Sequence, residues 1–336
     1  MEIFNIESSE KILISDIREL LNSARARVAG QVNIELLATY FEIGKMIIDY
    51  EKTYEVRYGK NVLLNLSKDL TREFGKGFSL SNIYYMRSFF LYKKIFQTVS
   101  GKLSWSHYCE LLDISDEDAR SFYEKECENA RWSFRELKRQ ISSSLFERLL
   151  LTKGQSNQKK LLQLSKSGQI LEQPQDIIKD PYVFEFLGLP EKTKIKESKF
   201  EKILVEHMKQ FLLELGKGFM FVGSQQRITL GNNHYYIDLV FYNKILKAYV
   251  LIDLKTEKFK HENVGQMNTY LNYYEAEIND KDDTKPIGIV LCADKNEIEV
   301  EYAMSGVASK IFTPKYTFVL PDKERLIAEL SKSMKK

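Results

Sequence analysis

The sequence predicts an α + α/β protein in two parts: a helical N-terminal domain with a helix-turn-helix-like element, then a mixed β-sheet flanked by helices. Three observations carry this expectation. The chain has 336 residues, which at roughly 100–200 residues per domain is enough for two. Apolar residues recur at three and four through the first 150 positions, and near residue 197 the pattern changes to helices alternating with short β-rich runs. Hydrophobic residues make up 43% of the chain, sufficient for a core in each part.

The elements follow in order. Residues 9–53 read as helix, with Leu13, Ile17, Leu20 and Leu21, then Val32, Leu36, Leu37, Tyr40 and Ile43 in helical spacing and Gly30 punctuating between them. Residues 61–75 place Val62, Leu63, Leu66 and Leu70 on one face and stop at Gly75-Lys76-Gly77-Phe78, a turn suited to a helix C-terminus. Ser79 is the expected N-cap of the next helix. Two helices joined by a glycine-containing turn are the helix-turn-helix outline. Its second helix would present Ser81, Asn82, Tyr85 and Arg87 near its start, where a recognition helix meets bases and phosphates. A helical segment over 131–151 closes a first domain of residues 1–151. Residues 152–195, polar and carrying Pro174, Pro181 and Pro190, read as a connector with short helical pieces.

A second domain, 196–336, opens with a helix over 197–215. Three β-rich runs follow (219–230, 235–243 and 247–256), the last two separated by a hairpin signal around Asn243-Lys244. A helix over 262–277, an apolar strand over 286–293, a helix near 297–309, a strand over 316–321 and a terminal helix complete the order. This succession implies a mixed sheet with helices on both sides.

Composition narrows the class. No apolar run approaches the ~18 residues that span a bilayer, and the N-terminus MEIFNIESSE lacks the basic start and apolar run of a secretory signal. No membrane association is expected. Cys109, Cys127 and Cys292 have neither pairing nor metal-ligand spacing, which points to a reducing cytoplasm. Four histidines make a structural zinc site a poor expectation. Charge is informative by region: residues 1–150 hold 22 basic and 22 acidic residues, yet 57–102 carries nine basic residues against Asp69 and Glu73 alone. Arg57, Arg72, Lys76, Arg87, Lys93 and Lys94 belong to that block. The next stretch, 103–128, has eight acids against Arg120 and Lys125. A basic block beside an acidic one is the pattern of a localised anion-binding face; a solvated surface with chance clustering is the plain alternative.

Three charged residues sit where apolar ones belong. Asp238 lies within the strand Tyr236–Phe241, and Asp253 and Lys255 end the strand 248–255. Burying an unpartnered carboxylate costs several kcal/mol, a large share of a protein's stability margin. Strand residues two apart share a face, and the hairpin sets Asp238 beside Asp253 and Lys255. Two carboxylates can hold a hard divalent cation such as Mg²⁺ or Mn²⁺, which accepts phosphate oxygens; the cation acidifies a water that the lysine orients or activates. A strand-end salt bridge is the competing reading. On a 100° helical wheel, Glu201 falls in the middle of the sheet-facing apolar stripe, whereas Glu206 and Glu214 fall about 140° from it. Glu201 is therefore the candidate third acid, against the alternative of a helix-start acid favoured by the macrodipole. Gln266 and Tyr270, one turn apart and just past Lys258, Lys260 and His261, suit contacts to phosphates and bases, though they are also ordinary helix-surface residues.

Asp238…Asp253-Leu254-Lys255 resembles the PD-(D/E)XK nuclease signature, and Gln266-x-x-x-Tyr270 resembles the QxxxY motif of its RecB-like members. The longer runs FLLELGKGFMFVGSQ, YYIDLVFYN, VLIDLKTEKFKHENVGQMNTYLNYY and PIGIVLCADKNEIEVEYA are similar to YhcG-type PDDEXK nuclease-domain proteins. In the first half, YGKNVLLNLSKDLTREFGKGFSLSNIYYMR, LSWSHY and WSFRELKRQI resemble the N-terminal domain that accompanies this nuclease. The resemblance covers nearly the whole chain except the connector. It implies a bacterial, Mg²⁺-dependent nuclease fold behind a helical, winged-helix-like DNA-binding domain, with restriction or defence proteins as partners. By position it makes Asp238 and Asp253 metal ligands, Lys255 the catalytic lysine and Glu201 the first-motif acid. Ile237 stands where the superfamily pattern has proline, a position that performs no chemistry.

The function expected is a Mg²⁺-dependent DNA endonuclease in restriction, defence or DNA processing. One site per chain favours a homodimer for cutting both strands. A catalytically silent DNA-binding or assembly module with a nuclease fold, and a regulator acting through the helix-turn-helix alone, are the alternatives.

Overall fold

A computed structural model describes residues 2–53, 60–94, 99–151, 158–191, 193–305, 307 and 310–333. Arg57 lies outside the described residues, as do residues 152–157 at the start of the expected connector. Contacts divide the chain into two units, Met1–Arg120 with Glu126–Leu137, and Ser121–Lys125 with Lys138–Lys336. No helix among the described residues is long and apolar enough to cross a membrane.

The first unit is helical. Helix α1 (Glu2–Thr53) is continuous and runs straight through Gly30, because one glycine costs only about 1 kcal/mol against alanine and its neighbours outvote it. Leu37, Tyr40, Phe41, Ile47 and Ile48 on α1 are buried, as are Ile83, Met86 and Phe89 of α3 (Leu80–Lys93). The two helices approach closely at Gly44, where a Cβ would lie 2.1 Å from the Met86 carbonyl oxygen. Helix α2 (Lys60–Phe74) ends at Gly75, whose φ of 92° needs glycine. Ser79 caps α3, its Oγ accepting from the Asn82 N–H at 3.3 Å, as the sequence predicts. Helices α4 (Trp105–Leu112) and α5 (Glu117–Ala130) follow. Residues 131–151 form two helices rather than one, α6 (Phe134–Ser142) and α7 (Leu145–Leu151), separated where Ser144 takes φ 52°; from Lys138 onward they belong to the second unit. The described residues of the first unit include no strand, so the β-hairpin of a winged helix is not among them.

In the second unit, α8 (Gln158–Ser167) and β1 (Tyr182–Val183) precede α9 (Glu197–Glu206) and α10 (Met208–Leu215). The helix expected over 197–215 is broken at His207, whose φ of −106° and ψ of 30° are not helical. Strands β2 (Phe219–Leu230), β3 (Asn233–Asn243), β4 (Ala248–Lys258), β5 (Ile287–Asp294) and β6 (Lys310–Phe312) form a sheet in that order. Neighbours are antiparallel from β2 to β4 and parallel from β4 to β6. Helix α11 (Glu262–Tyr273) lies between β4 and β5 in the chain, α12 (Glu297–Met304) follows β5, β7 (Tyr316–Thr317) pairs with β1, and α13 (Lys323–Ser333) ends the described chain. Two apolar layers hold the sheet: Phe200, Leu204 and Phe211 pack with Phe241, Ile252 and Ile289, while Val264, Met267 and Leu271 of α11 pack with Val240, Leu251 and Val290. The mixed sheet flanked by helices is therefore present as the sequence predicts.

Candidate active site

The site forms where β3 and β4 part. Their ladder ends at the pair Leu239–Ile252, and beyond it β4 continues beside β5 alone, with Asp253 opposite Val290 and Lys255 opposite Cys292. A strand that loses a neighbour leaves backbone groups without partners. Asp238 fills the fork: its Oδ2 accepts the Leu254 N–H at 2.8 Å. The carboxylate is held in the strand because it replaces a ladder bond.

Asp253, 2% exposed, lies beside it. The Lys255 Nζ is 3.0 Å from Asp253 Oδ2, an ion contact whose angle leaves that oxygen without a well-aligned hydrogen bond. Burial pushes the Asp253 carboxyl up to about 7, with Lys255 pulling against it. Burial likewise raises Asp238 against the Leu254 N–H and Lys255. For Lys255, burial works to lower the ammonium but the Asp253 and Glu197 carboxylates outweigh it.

Glu201 on α9 is buried, and burial raises its carboxyl. It is joined to Asp238 through Gln225, whose Nε2 donates to Glu201 Oε2 at 2.7 Å and to Asp238 Oδ1 at 3.1 Å. Gln225 stands in β2 at φ 49°, a left-handed conformation rare for a side chain other than glycine and a mark of functional sites. The amide thus takes a position between two carboxylates that a cation would also satisfy. Among the described residues, no three or more His, Cys, Asp and Glu side chains gather as a ready cation cage. The donor set that fits a hard cation is the buried, under-bonded oxygen of Asp253 with Asp238 next to it, the remaining positions going to water.

Over this arrangement α11 places Gln266, whose Nε2 donates to the Tyr270 hydroxyl at 2.5 Å, while that hydroxyl donates to the Tyr236 carbonyl at 3.2 Å. Tyr270 is 1% exposed and braces β3 two residues before Asp238.

The family model for the YhcG PDDEXK nuclease domain matches residues 175–334, and that for the DUF1016 N-terminal domain matches residues 16–148. A protein of Escherichia coli (strain K12) named "Putative nuclease YhcG" is 38% identical over 94% of this chain and 92% of its own length. The chain belongs to the YhcG-type PDDEXK nuclease-domain family. Two solved structures, a repair endonuclease from Pyrococcus abyssi and EndoMS in apo form, are 15% and 14% identical with TM-scores of 0.26. They match 40% and 39% of this chain, which spans about half of each of theirs.

In this YhcG-type chain two residues beside the site, Glu197 and Gln225, are ones that the sequence pattern does not single out. Glu197 lies 3.5 Å from Lys255 Nζ and its Oε1 accepts the Thr256 N–H at 3.4 Å; its place one turn before Glu201 was the available signal. Gln225 lies between Ser224 and Gln226, which pair with Leu239 and Ile237 on either side of Asp238, a relation that only register reveals.

The predicted nucleic-acid residues are dispersed in role. Asn82 donates to the Gly77 carbonyl and accepts from Trp105, the Tyr85 hydroxyl donates to Asp113, and Arg87 makes a two-bond pair with Glu51. Lys93 rests over the rings of Tyr92 and Tyr108. Arg72 pairs with Asp69 at 2.8 Å on the surface, and Lys76 and Lys94 are exposed. In the second unit Lys258 pairs with Glu299 and Lys260 with Glu257, all solvent-facing.

Proposed function

We propose that this chain is a Mg²⁺- or Mn²⁺-dependent DNA endonuclease. The observation that carries the reading is Asp253, a buried carboxylate with an oxygen lacking a hydrogen bond, set beside Asp238 and Lys255. Such an arrangement is costly for stability alone and suited to a cation. Asp238 and Asp253 would hold the ion, with Glu201 as third acid in exchange for its bond to Gln225. A divalent cation bound there supplies an acidified water and offsets charge at the scissile phosphate.

Lys255 is an ammonium between two carboxylates, Asp253 and Glu197. Its part is to donate: it orients the attacking water and steadies negative charge on phosphate oxygens. Water adds to phosphorus and gives up a proton, the bond to the 3′ oxygen breaks and that oxygen takes a proton, leaving a 3′ hydroxyl and a 5′ phosphate. Gln266 and Tyr270 fix β3, and with it Asp238, against α11. Lys258 and Lys260, with Arg72, Lys76, Lys93 and Lys94 of the first unit, supply phosphate contacts; Asn82, Tyr85 and Arg87 add theirs after exchanging present partners, Glu51 in the case of Arg87. Binding resting on such contacts weakens steeply with salt.

The test is cleavage of plasmid, branched and single-stranded DNA with Mg²⁺ or Mn²⁺. Asp253→Ala is expected to reduce cleavage at least about a thousandfold, the size of several kcal/mol of lost charge stabilisation. Undiminished cutting by that variant would refute the assignment. The alternative, a silent DNA-binding scaffold, is favoured by the Gln225 amide already satisfying both Glu201 and Asp238; it predicts binding without cutting on every substrate, and indifference to Lys255→Ala.

A further inference from the structure

Helix α1 leaves two apolar surfaces of the first unit uncovered, and both lie along the same helix. Toward its N-terminus, Leu13, Ile17, Leu21, Val28 and Val32 are between 47% and 64% exposed. With Ala24 they form one stripe at helical spacing. Farther along, Ile43, Met46 and Tyr50 of α1 and Val62, Leu66 and Phe74 of α2 wall an apolar groove of about 680 Å³. Met46 is 69% and Phe74 62% exposed. A groove between two helices seats an amphipathic helix, and the stripe is an amphipathic helix without a seat. One chain cannot bring the two together. Because α1 is continuous, the rise per residue holds Ile17 and Ile43 roughly 39 Å apart on a single rod.

Two chains can. Positions 13, 17, 21, 24 and 28 advance by steps of four, four, three and four; positions 47, 43, 39, 36 and 32 go back by the same steps. Laid antiparallel, α1 of one copy therefore sets Ile17 against Ile43, Leu21 against Thr39, Ala24 against Leu36 and Val28 against Val32 of the other, with Leu13 reaching the turn of the buried Ile47. Residues 10–35 carry four acids and four bases, so no net charge opposes the approach. We propose that the chain forms a two-fold antiparallel dimer in which the N-terminal part of each α1 occupies the α1–α2 groove of the other copy. The contact is isologous, so it closes at two copies. It rests on the first unit alone and stands or falls apart from the nuclease reading.

The test uses the full chain in sedimentation equilibrium over a concentration series. The unaltered protein is expected at twice its 39.4 kDa in the micromolar range. Ile17→Glu in the stripe and Met46→Glu in the groove wall, both at exposed positions, are each expected to weaken the dimer about a hundredfold while the circular dichroism spectrum stays unchanged. Mixing the two variants regenerates one native stripe-to-groove contact per heterodimer, so the mixture is expected to associate more strongly than either variant alone. A monomer at tens of micromolar would overturn the proposal and leave the groove to a different protein. So would a dimer indifferent to Met46→Glu, or a mixture no stronger than its parts.

Discussion

Glu214 and Asp253 are both buried acids of the second unit, 0% and 2% exposed, and their surroundings could hardly differ more. Glu214 receives Arg148 Nη1 at 2.5 Å, Arg139 at 3.3 Å and the Val183 N–H at 3.0 Å, while Lys179 donates to its backbone carbonyl. Burial works to raise its carboxyl, but Arg148, Lys179 and Arg139 overcome it and hold the group at about 2. Asp253 has one lysine, shared with Glu197, and an oxygen without a hydrogen bond. A fully partnered buried charge belongs to the architecture. One left short of partners is what the proposed cation site calls for.

The contrast can be broken by experiment. Glu214→Ala takes away the carboxylate that pairs with the fully buried Arg148, while Arg139 keeps Glu185, and should destabilise the protein by about 3–5 kcal/mol, read by urea unfolding. Asp253→Ala should leave stability unchanged or improved. If the two variants lose equal stability, the distinction between them fails. Next in size, saturating Mg²⁺ or Mn²⁺ should stabilise the folded chain by about 2.7 kcal/mol at a hundred times its dissociation constant. A thermal scan should register that gain in Glu214→Gln and not in Asp253→Ala.

Acid gives a third handle. Glu214 has a folded carboxyl far below its ordinary 4.5, so the unfolded chain binds the proton first. Its stabilisation is complete above about pH 4.5 and is lost as pH falls toward 2. Glu214→Gln should flatten this arm of the stability profile, and Asp253→Asn should leave it in place. The smallest effect is expected from Gln225→Ala, which removes donors to Glu201 and Asp238. The metal-free protein should lose about 1 kcal/mol, and Mg²⁺ should restore more of its melting temperature than in the parent.

The difference between these clusters also marks what the sequence discloses. Asp238, Asp253 and Lys255 stand out because each interrupts a run of Val, Ile, Leu and Phe, and strand periodicity with a hairpin is enough to bring them together. Glu201 is legible by the same reasoning on a helical wheel. Glu214 is not: the wheel places it on the outer face of an unbroken helix, whereas the chain breaks at His207 and the face bearing Glu214 is covered by Arg139 and Arg148, from residues far earlier in the chain. Gln225 depends on a left-handed backbone and on strand register, neither of which leaves a mark in composition. Gly30 misleads in the opposite direction, since a long helix tolerates what looks like a stop.

The arginines around Glu214 have a practical corollary for anyone dissecting this molecule. Arg139 and Arg148 fall inside the stretch matched by the DUF1016 N-terminal model, yet both pack within the second unit. A nuclease fragment begun at residue 152, after the last helix of the apparent first domain, would discard both guanidiniums and keep the carboxylate they neutralise. Foldable pieces should instead begin ahead of Glu117, so that Ser121–Lys125 of α5 travel with α6, α7 and the sheet.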